Sequence, residues 1–385
     1  MRPLPLSDIA SWCEGRLGGA DVRVDAISTD TRRPMPGALF AALRGENFDA
    51  HDFVNQAEVQ GARALLLSRP VDSALPQVLC GDVQTALGDI AAGLAATRAT
   101  RVLGLTGSNG KTTVKSLVLS ILSRLGSAYA NPGNRNNEIG LPLALIDQPE
   151  DARFGIYEMG AGQPGDIAYL AAIAKPSIAL VNNIAPAHLE RMGSLLGVAE
   201  TKGAIYEALP ADGIAVINAD DAFAPQFVQR AARRMVLRFG IESSAEVRAS
   251  EVDLQPTLTS FRLHSPLGRT EVRVPLPGRH NLMNALAAAT LAFAAGASLD
   301  QVVAGLDAVE AVPGRQAPTR LANGALLIDD SYNANPGSVL AAIATLALGA
   351  GESWLVLGDM RELGEGEREL HADVGLAARR AGVRR

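Results

Sequence analysis

Between Thr106 and Thr113 the chain reads Thr-Gly-Ser-Asn-Gly-Lys-Thr-Thr. Gly107 and Gly110, with Ser108 and Asn109 between them, allow backbone N–H groups to turn inward around an anion. Lys111 can reach the β- and γ-phosphates of a nucleotide, and a hydroxyl at Thr112 suits Mg²⁺; Thr113 follows in the same turn. The apolar run Arg101–Thr106 predicts a strand before the loop and Lys111–Leu125 a helix after it. The anion would then face a helix N-terminus. The spacing departs from the template G-x-x-x-x-G-K-[ST], because Leu105 stands five residues before Gly110. The loop is a shorter Gly-x-x-Gly-Lys-Thr. A glycine-rich turn with a surface lysine is the bland alternative; the flanking strand and helix favour a nucleoside triphosphate site.

A phosphate loop names no reaction by itself, since unrelated activities share it. Glu158 ends the predicted strand Phe154–Met159, where a carboxylate faces the ligand crevice of a parallel sheet and can hold the nucleotide's metal. His188 lies beyond the predicted strand Ser177–Asn182 and suits a metal or a transferred phosphate, though a lone histidine is as often structural. Lys202 stands at the start of a predicted helix, where a solvated lysine is the ordinary reading. The polar loop Asn131–Gly140 contains Asn134, Asn136 and Asn137 and could orient an anionic or sugar substrate, or could be turn chemistry alone. Asn281, in Pro277-Gly278-Arg279-His280-Asn281, could meet a base edge or the phosphates; capping by Asn281 or Asn284 is the plain alternative. Asp330 belongs to Asp329-Asp330-Ser331-Tyr332-Asn333-Ala334-Asn335-Pro336, an acid–aromatic–amide turn between a strand and a helix.

These residues need an α/β scaffold, and short Val/Ile/Leu/Ala runs alternating with helices predict one built of parallel βαβ units. The first section carries predicted strands at Val22–Ile27, Ala38–Leu43 and Ala62–Leu67, with a helix over Asp52–Gln60. Asp82–Arg98 reads as a connecting helix. The middle section adds strands at Ser177–Asn182 and Gly213–Asn218, then helices Asn284–Ala295 and Leu299–Val309. Ala311–Arg315 reads as a hinge. Strands Ala325–Asp329 and Trp354–Leu357, with helices Pro336–Leu348 and from Glu365, complete the last section. The domain expectation is therefore 1–80, 81–314 (with 81–98 connecting) and 315–385.

The 385 residues are 48% hydrophobic and 20% charged, which excludes a wholly disordered chain. A net charge of −6 and 4% aromatics argue against a nucleic-acid binder. Cys13 and Cys80 form no C-x-x-C pair, excluding a disulfide framework and a cysteine-rich zinc site. The N-terminus lacks the apolar run of a signal peptide, and no stretch is long enough to span a membrane. A cytoplasmic protein without membrane insertion, working as a monomer, is expected.

Taken in order, Thr106–Thr113, Asn136–Gly140, Glu158, His188, Lys202, Gly278–Asn281 and Asp330–Pro336 resemble the motif series of the Mur ligases. These are ATP-dependent amide-forming enzymes of peptidoglycan precursor synthesis, and the shortened loop is their form. Thr29–Arg32 with Pro36–Gly45, Phe48–Phe53 and Asp330–Pro336 look most like the branch that joins D-alanyl-D-alanine to UDP-N-acetylmuramoyl-tripeptide. The resemblance implies a three-domain architecture with UDP, ATP and amine sites in succession. It places Asp30, Thr31 and Arg32 near the UDP, and Asn281, Arg315 and Asp330 around the nucleotide. Thr112, Glu158, His188 and Lys202 would serve about two Mg²⁺ ions, with Lys202 open to carbamylation into a metal-bridging carboxylate. The carboxylate substrate would become an acyl phosphate that the amine attacks.

Family members carry a fuller third domain, so the resemblance also implies that residues 315–385 are an incomplete one. Another Mur-type ligase, whether tripeptide-forming or like folylpolyglutamate synthase, is the alternative enzyme. A nucleotide-binding fragment without ligase activity is the alternative of another class.

Overall fold

The computed structural model describes residues 1–186 and 189–385, which form two compact units. The first comprises Met1–Thr100, Asn131–Gly155 and Ala172–Ala174; the second comprises Arg101–Ala130, Ile156–Ala171 and Lys175–Arg385.

The first unit is built on a five-stranded sheet in the order Arg16–Gly18, Gln77–Leu79, Ala64–Leu67, Leu39–Ala41, Ile27–Ser28. Leu39–Ala41 and Ala64–Leu67 are buried throughout, as expected of parallel strands covered on both faces. The helix Val83–Ala96 starts where the Asp82 carboxylate accepts the Thr85 N–H. The predicted strand Val22–Ile27 is two strands in two sheets. Arg23–Val24 pairs with Leu4–Pro5, and Ile27–Ser28 with Leu39–Phe40. Val24 and Ile27 are both buried, yet their odd spacing would put them on opposite faces of one pleated strand. Changing partner sheet lets each face a core.

His51 is buried at the end of this sheet. Its Nε2 accepts the Ser68 N–H at 3.0 Å, so the proton sits on Nδ1 and is donated to Asp49 Oδ1 at 2.5 Å. The hydrogen bonds from His51, its N–H foremost, hold the Asp49 carboxyl down to about 2.

The second unit carries a nine-stranded sheet. Its order is Gly268–Val274, Thr259–Ser265, Val247–Leu254, Met235–Gly240, Ile214–Asn218, Ile178–Val181, Arg101–Thr106, Phe154–Glu158, Ala128–Ala130. Ile178–Val181 runs parallel to Leu103–Thr106 and to Ile214–Ile217, so the strand before the phosphate loop is interior. The parallel pattern does not extend to the far edge. Val247–Leu254, Thr259–Ser265 and Gly268–Val274 form an antiparallel meander. Its alternating polar residues face outward, the period-2 pattern of a one-sided sheet.

Helices Arg279–Ala294 and Leu299–Asp307 pack on Lys111–Leu122. Alanines make the first contact close: nearly all of its inner residues are buried. After the hinge, Ala317–Arg320 pairs antiparallel with Leu326–Asp329. Helices Pro336–Leu346 and Glu367–Arg380 enclose Val339, Ile343, Met360 and Val374. Trp354–Leu357 is not a strand. Its neighbourhood has only two backbone bonds, Leu355 N–H to Arg385 O and Arg384 N–H to Ser353 O, and Val356 is 95% exposed. A strand needs a ladder partner, and among the described residues this segment has none. Among those residues, too, no helix is long and apolar enough to cross a membrane.

Candidate nucleotide site

The strand Arg101–Thr106 delivers the chain into a loop that only glycine could build at two points. Gly107 has φ +150°, and a Cβ there would lie 3.0 Å from Asn182 Cβ. Gly110 has φ +78°, and its Cβ would strike the side-chain amides of Asn284 and Asn182. Gly110 is also the residue before the helix Lys111–Leu122, so the loop turns directly into the helix.

Asparagines brace this turn from behind. Asn182 donates from Nδ2 to Asn109 O and to Asn284 Oδ1, each at 3.0 Å. Asn183 Oδ1 accepts the Asn109 N–H at 2.8 Å, and its carbonyl accepts the Ser108 N–H. Asn284 donates to Asn281 Oδ1, and Asn281 donates to Pro277 O. Asn281 is therefore not a cap. The helix starts at Arg279 with Gly278 before it, and both asparagines are buried inside its first turns.

On the open side, the Lys111 ammonium donates to Gly107 O at 2.8 Å and Ser108 O at 3.2 Å. Burial holds it below the usual lysine range, with Glu158 opposing and Arg315 adding to the fall. Thr112 donates its hydroxyl to Glu158 Oε2 at 3.1 Å. The same oxygen lies 3.2 Å from the buried Lys115 ammonium.

Residues that follow the helix Leu299–Asp307 reach this loop. Arg315 donates to Thr112 Oγ1 at 3.4 Å and lies 3.9 Å over the Tyr332 ring. Asp330 accepts from Gln316 Nε2 at 3.2 Å, and burial pushes its carboxyl up. Burial also holds the nearby His280 imidazole down to about 4.

Lys202 lies within the helix Leu195–Glu207, eight residues from its Ser194 cap rather than at its start. Its side chain is buried. That burial, with Lys111 adding and Asp166 opposing, holds its ammonium down to about 7. A lysine in this state has a substantial neutral, nucleophilic fraction at neutral pH.

The second unit thus contains Gly107–Thr113, Glu158, Lys202, Asn281, Arg315 and Asp330. His188 lies outside the described residues. Asp30, Thr31, Arg32, Asn136 and Asn137 belong to the first unit. There Asp30 binds the Arg32 side chain through both carboxylate oxygens at 2.8 and 3.0 Å, which holds its carboxyl down to about 2. Thr31 donates to Gln56. Asn137 accepts the Gly140 N–H ahead of the helix Gly140–Asp147.

Sequence reasoning missed Lys115, Asn182 and Asn183; it had Asn335 inside the acid–aromatic–amide turn without a role of its own, and it read Asn284 only as a cap. A signal existed for Lys115: a second lysine one helical turn after Lys111 puts like charges on one face. For the asparagine pair, the signal was two amides at the C-terminal end of a parallel strand.

Thr112 and Glu158 are the hard oxygen donors that Mg²⁺ takes alongside water and phosphate oxygens. Among the described residues, no three His, Cys, Asp or Glu side chains gather.

Comparison with known families gives three successive matches. The Mur ligase family catalytic domain matches residues 23–93, the Mur ligase middle domain 105–292, and the Mur ligase glutamate ligase domain 314–385. The chain is also 46% identical over 386 aligned residues to the UDP-N-acetylmuramoyl-tripeptide–D-alanyl-D-alanine ligase of Escherichia coli, covering 100% of this chain and 85% of that one. The chain belongs to the Mur ligase family.

Solved Mur ligases agree. MurF from Acinetobacter baumannii superposes with a TM-score of 0.95 at 35% identity, covering 98% of this chain and 84% of that one. MurF ligase from Thermotoga maritima, solved in complex with ADP, gives 0.83 at 29% identity over 91% and 81%. The three-domain α/β architecture and the central, mostly parallel sheet are those of Mur ligases.

Proposed function

We propose that the protein is the ATP-dependent ligase that joins D-alanyl-D-alanine to UDP-N-acetylmuramoyl-tripeptide in peptidoglycan precursor synthesis. The observation that carries the chemistry is the convergence of Lys111, Thr112, Glu158 and Arg315 on one glycine loop. The choice of substrates is supported by relatives named for this reaction that match 100% and 93% of this chain.

The terminal carboxylate of the tripeptide attacks the γ-phosphorus of ATP, forming an acyl phosphate and releasing ADP. The amine of D-alanyl-D-alanine then adds to the acyl carbonyl. The tetrahedral adduct collapses with loss of phosphate and a proton, leaving the amide. Chemistry of this type depends on holding the reactants in line and neutralising charge. The N-terminus of the helix Lys111–Leu122, which follows directly on Gly110, faces the phosphates, while Lys111 leaves its two carbonyls to neutralise the γ-phosphate. Arg315 brings a second cation from the segment after the helix Leu299–Asp307.

Thr112 and Glu158 would hold Mg²⁺, which when bound supplies charge neutralisation on the phosphate oxygens. We assign Lys202 to the same centre on the strength of its burial and depressed ammonium: a neutral amine can add to carbon dioxide and, releasing one proton to solvent, become an anionic carbamate. His188 keeps its proposed place as a metal ligand on the family motif alone. Asp330 and Asn281 bound the nucleotide site, Asn281 by fixing the loop through Asn284. Asp30, Thr31 and Arg32, with Asn136 and Asn137, are assigned to the UDP-linked substrate. The division of labour follows residues 1–80 for that substrate, 81–314 for ATP and 315–385 for the amine. The protein acts as a cytoplasmic monomer in this reading.

Phosphate release from ATP and Mg²⁺ with the UDP-linked tripeptide, with and without D-alanyl-D-alanine, tests the proposal. Release that needs the dipeptide is expected. Release stimulated by another amine and not by the dipeptide would move the protein to a different branch of the family. Lys111→Ala should abolish turnover with an unchanged circular dichroism spectrum; normal turnover would remove the loop from the mechanism.

A further inference from the structure

Lys115 has no task in the mechanism above, yet it is buried at 5% exposure in the helix that leaves the phosphate loop. A lysine taken out of water is costly unless its charge is matched. Its ammonium is 3.2 Å from Glu158 Oε2, the oxygen that accepts the Thr112 hydroxyl at 3.1 Å. A cation therefore already stands at the carboxylate to which the metal is assigned. The other cations nearby are engaged elsewhere: Lys111 on the carbonyls of Gly107 and Ser108, Arg315 on Thr112 and the Tyr332 ring.

We propose that Lys115 is a built-in counter-cation for Glu158, which holds the carboxylate against Thr112 in the nucleotide-free protein and keeps a lone divalent cation out until it arrives with the triphosphate. This inference rests on the Mg²⁺ and ATP reading of the loop. With Lys202 still an amine, Glu158 is the anion assigned to this centre, and Lys115 and Lys111 face it with two positive charges. A bare divalent ion entering that field meets net repulsion, and repulsion at such separations is strong away from bulk water. A metal bound to a triphosphate brings net negative charge, which the same two lysines attract. Lys115 acts through Glu158 and is a positioning residue; the consequence is an order of entry, metal and nucleotide together.

The test is binding of Mn²⁺ to the full chain, read from the electron paramagnetic resonance signal of the free ion, with no nucleotide and with a non-hydrolysable ATP analogue. Lys115→Gln keeps a donor to Glu158 without the charge, and Lys115→Arg keeps the charge. Lys115→Gln is expected to bind Mn²⁺ alone at least about tenfold more tightly than the wild type. Lys115→Arg is expected to match the wild type, and the analogue should narrow the gap between all three.

Unchanged or weaker binding of Mn²⁺ alone by folded Lys115→Gln overturns the proposal. Should that variant fail to fold by circular dichroism, the wild type decides: Mn²⁺ bound as tightly without the analogue as with it overturns the proposal, and tight binding only with it supports the proposal. No Mn²⁺ binding by the wild type even with the analogue would instead remove the metal reading of the loop, and this proposal with it.

Discussion

The side-chain amide of Asn335 donates a 2.7 Å hydrogen bond to the side-chain oxygen of Asn109. Asn335 also caps the helix Pro336–Leu346, its Oδ1 accepting the Ser338 N–H at 2.9 Å. One asparagine thus starts a helix beyond the hinge and grips the phosphate loop with its other end. Asn335→Asp separates the two roles. Aspartate caps as well as asparagine, but it turns an acceptor toward the Asn109 oxygen. Urea denaturation should change little, within roughly 0.5 kcal/mol, while ATP affinity measured by calorimetry falls. Unaltered affinity would show that the contact does not serve the nucleotide.

Gly110→Ala should lose ATP binding. An L-residue at that φ costs roughly 1–2 kcal/mol, and its Cβ would displace the amides of Asn284 and Asn182. The loop would have to change shape to accept it. ATP affinity close to the wild-type value would mean that the loop tolerates another form.

Lys202 makes stability depend on pH in a defined direction. Its folded-state ammonium titrates near 7, against 10.5 unperturbed. Between those values the unfolded chain binds the extra proton, so this residue's contribution to stability rises with pH and is at its least below pH 7. Lys202→Met should therefore be more stable than the wild type at pH 7, with the difference shrinking by pH 9. Urea midpoints at the two pH values measure it, and an equal gap at both would exclude the shift. In the phosphate-release assay the same variant should be inactive.

His51→Ala should destabilise the protein by about 2–4 kcal/mol, since it opens a cavity in the place of a buried ring and removes the ring's two hydrogen bonds. The Ser68 N–H loses its acceptor, while Asp49 loses the ring but keeps the N–H of residue 51 and Arg69. A loss below about 0.5 kcal/mol, the range of an ordinary surface substitution, would show that solvent replaces the ring.

Much of the site was legible because its chemistry is local. Gly107 to Thr113 are consecutive, and their strand and helix have strong periodic patterns. Glu158 was found from its place at a strand end. What escaped depends on distant chain: the Asn182–Asn284 and Asn109–Asn335 bonds join residues over a hundred positions apart. Lys202 looked like a solvated surface lysine because only packing reveals its burial. Trp354–Leu357 failed for the opposite reason, having strand composition but, among the described residues, no ladder partner. Val22–Ile27 had a strand's composition but an odd spacing between its two core residues, a detail that pattern reading passed over.

Lys111 closes its own binding seat with its side chain. Its charge rests on the Gly107 and Ser108 carbonyl oxygens, acceptors that offer nothing to a phosphate. An arriving anion must replace both contacts before it gains the cation. A simple sulfate or free phosphate offers one short-range attraction for that exchange, whereas a triphosphate carries more charge and can meet Lys111, Arg315 and the helix N-terminus together. The resting protein is in effect self-inhibited toward small oxyanions, and the abundant phosphate of a cell should be a poor competitor for its nucleotide.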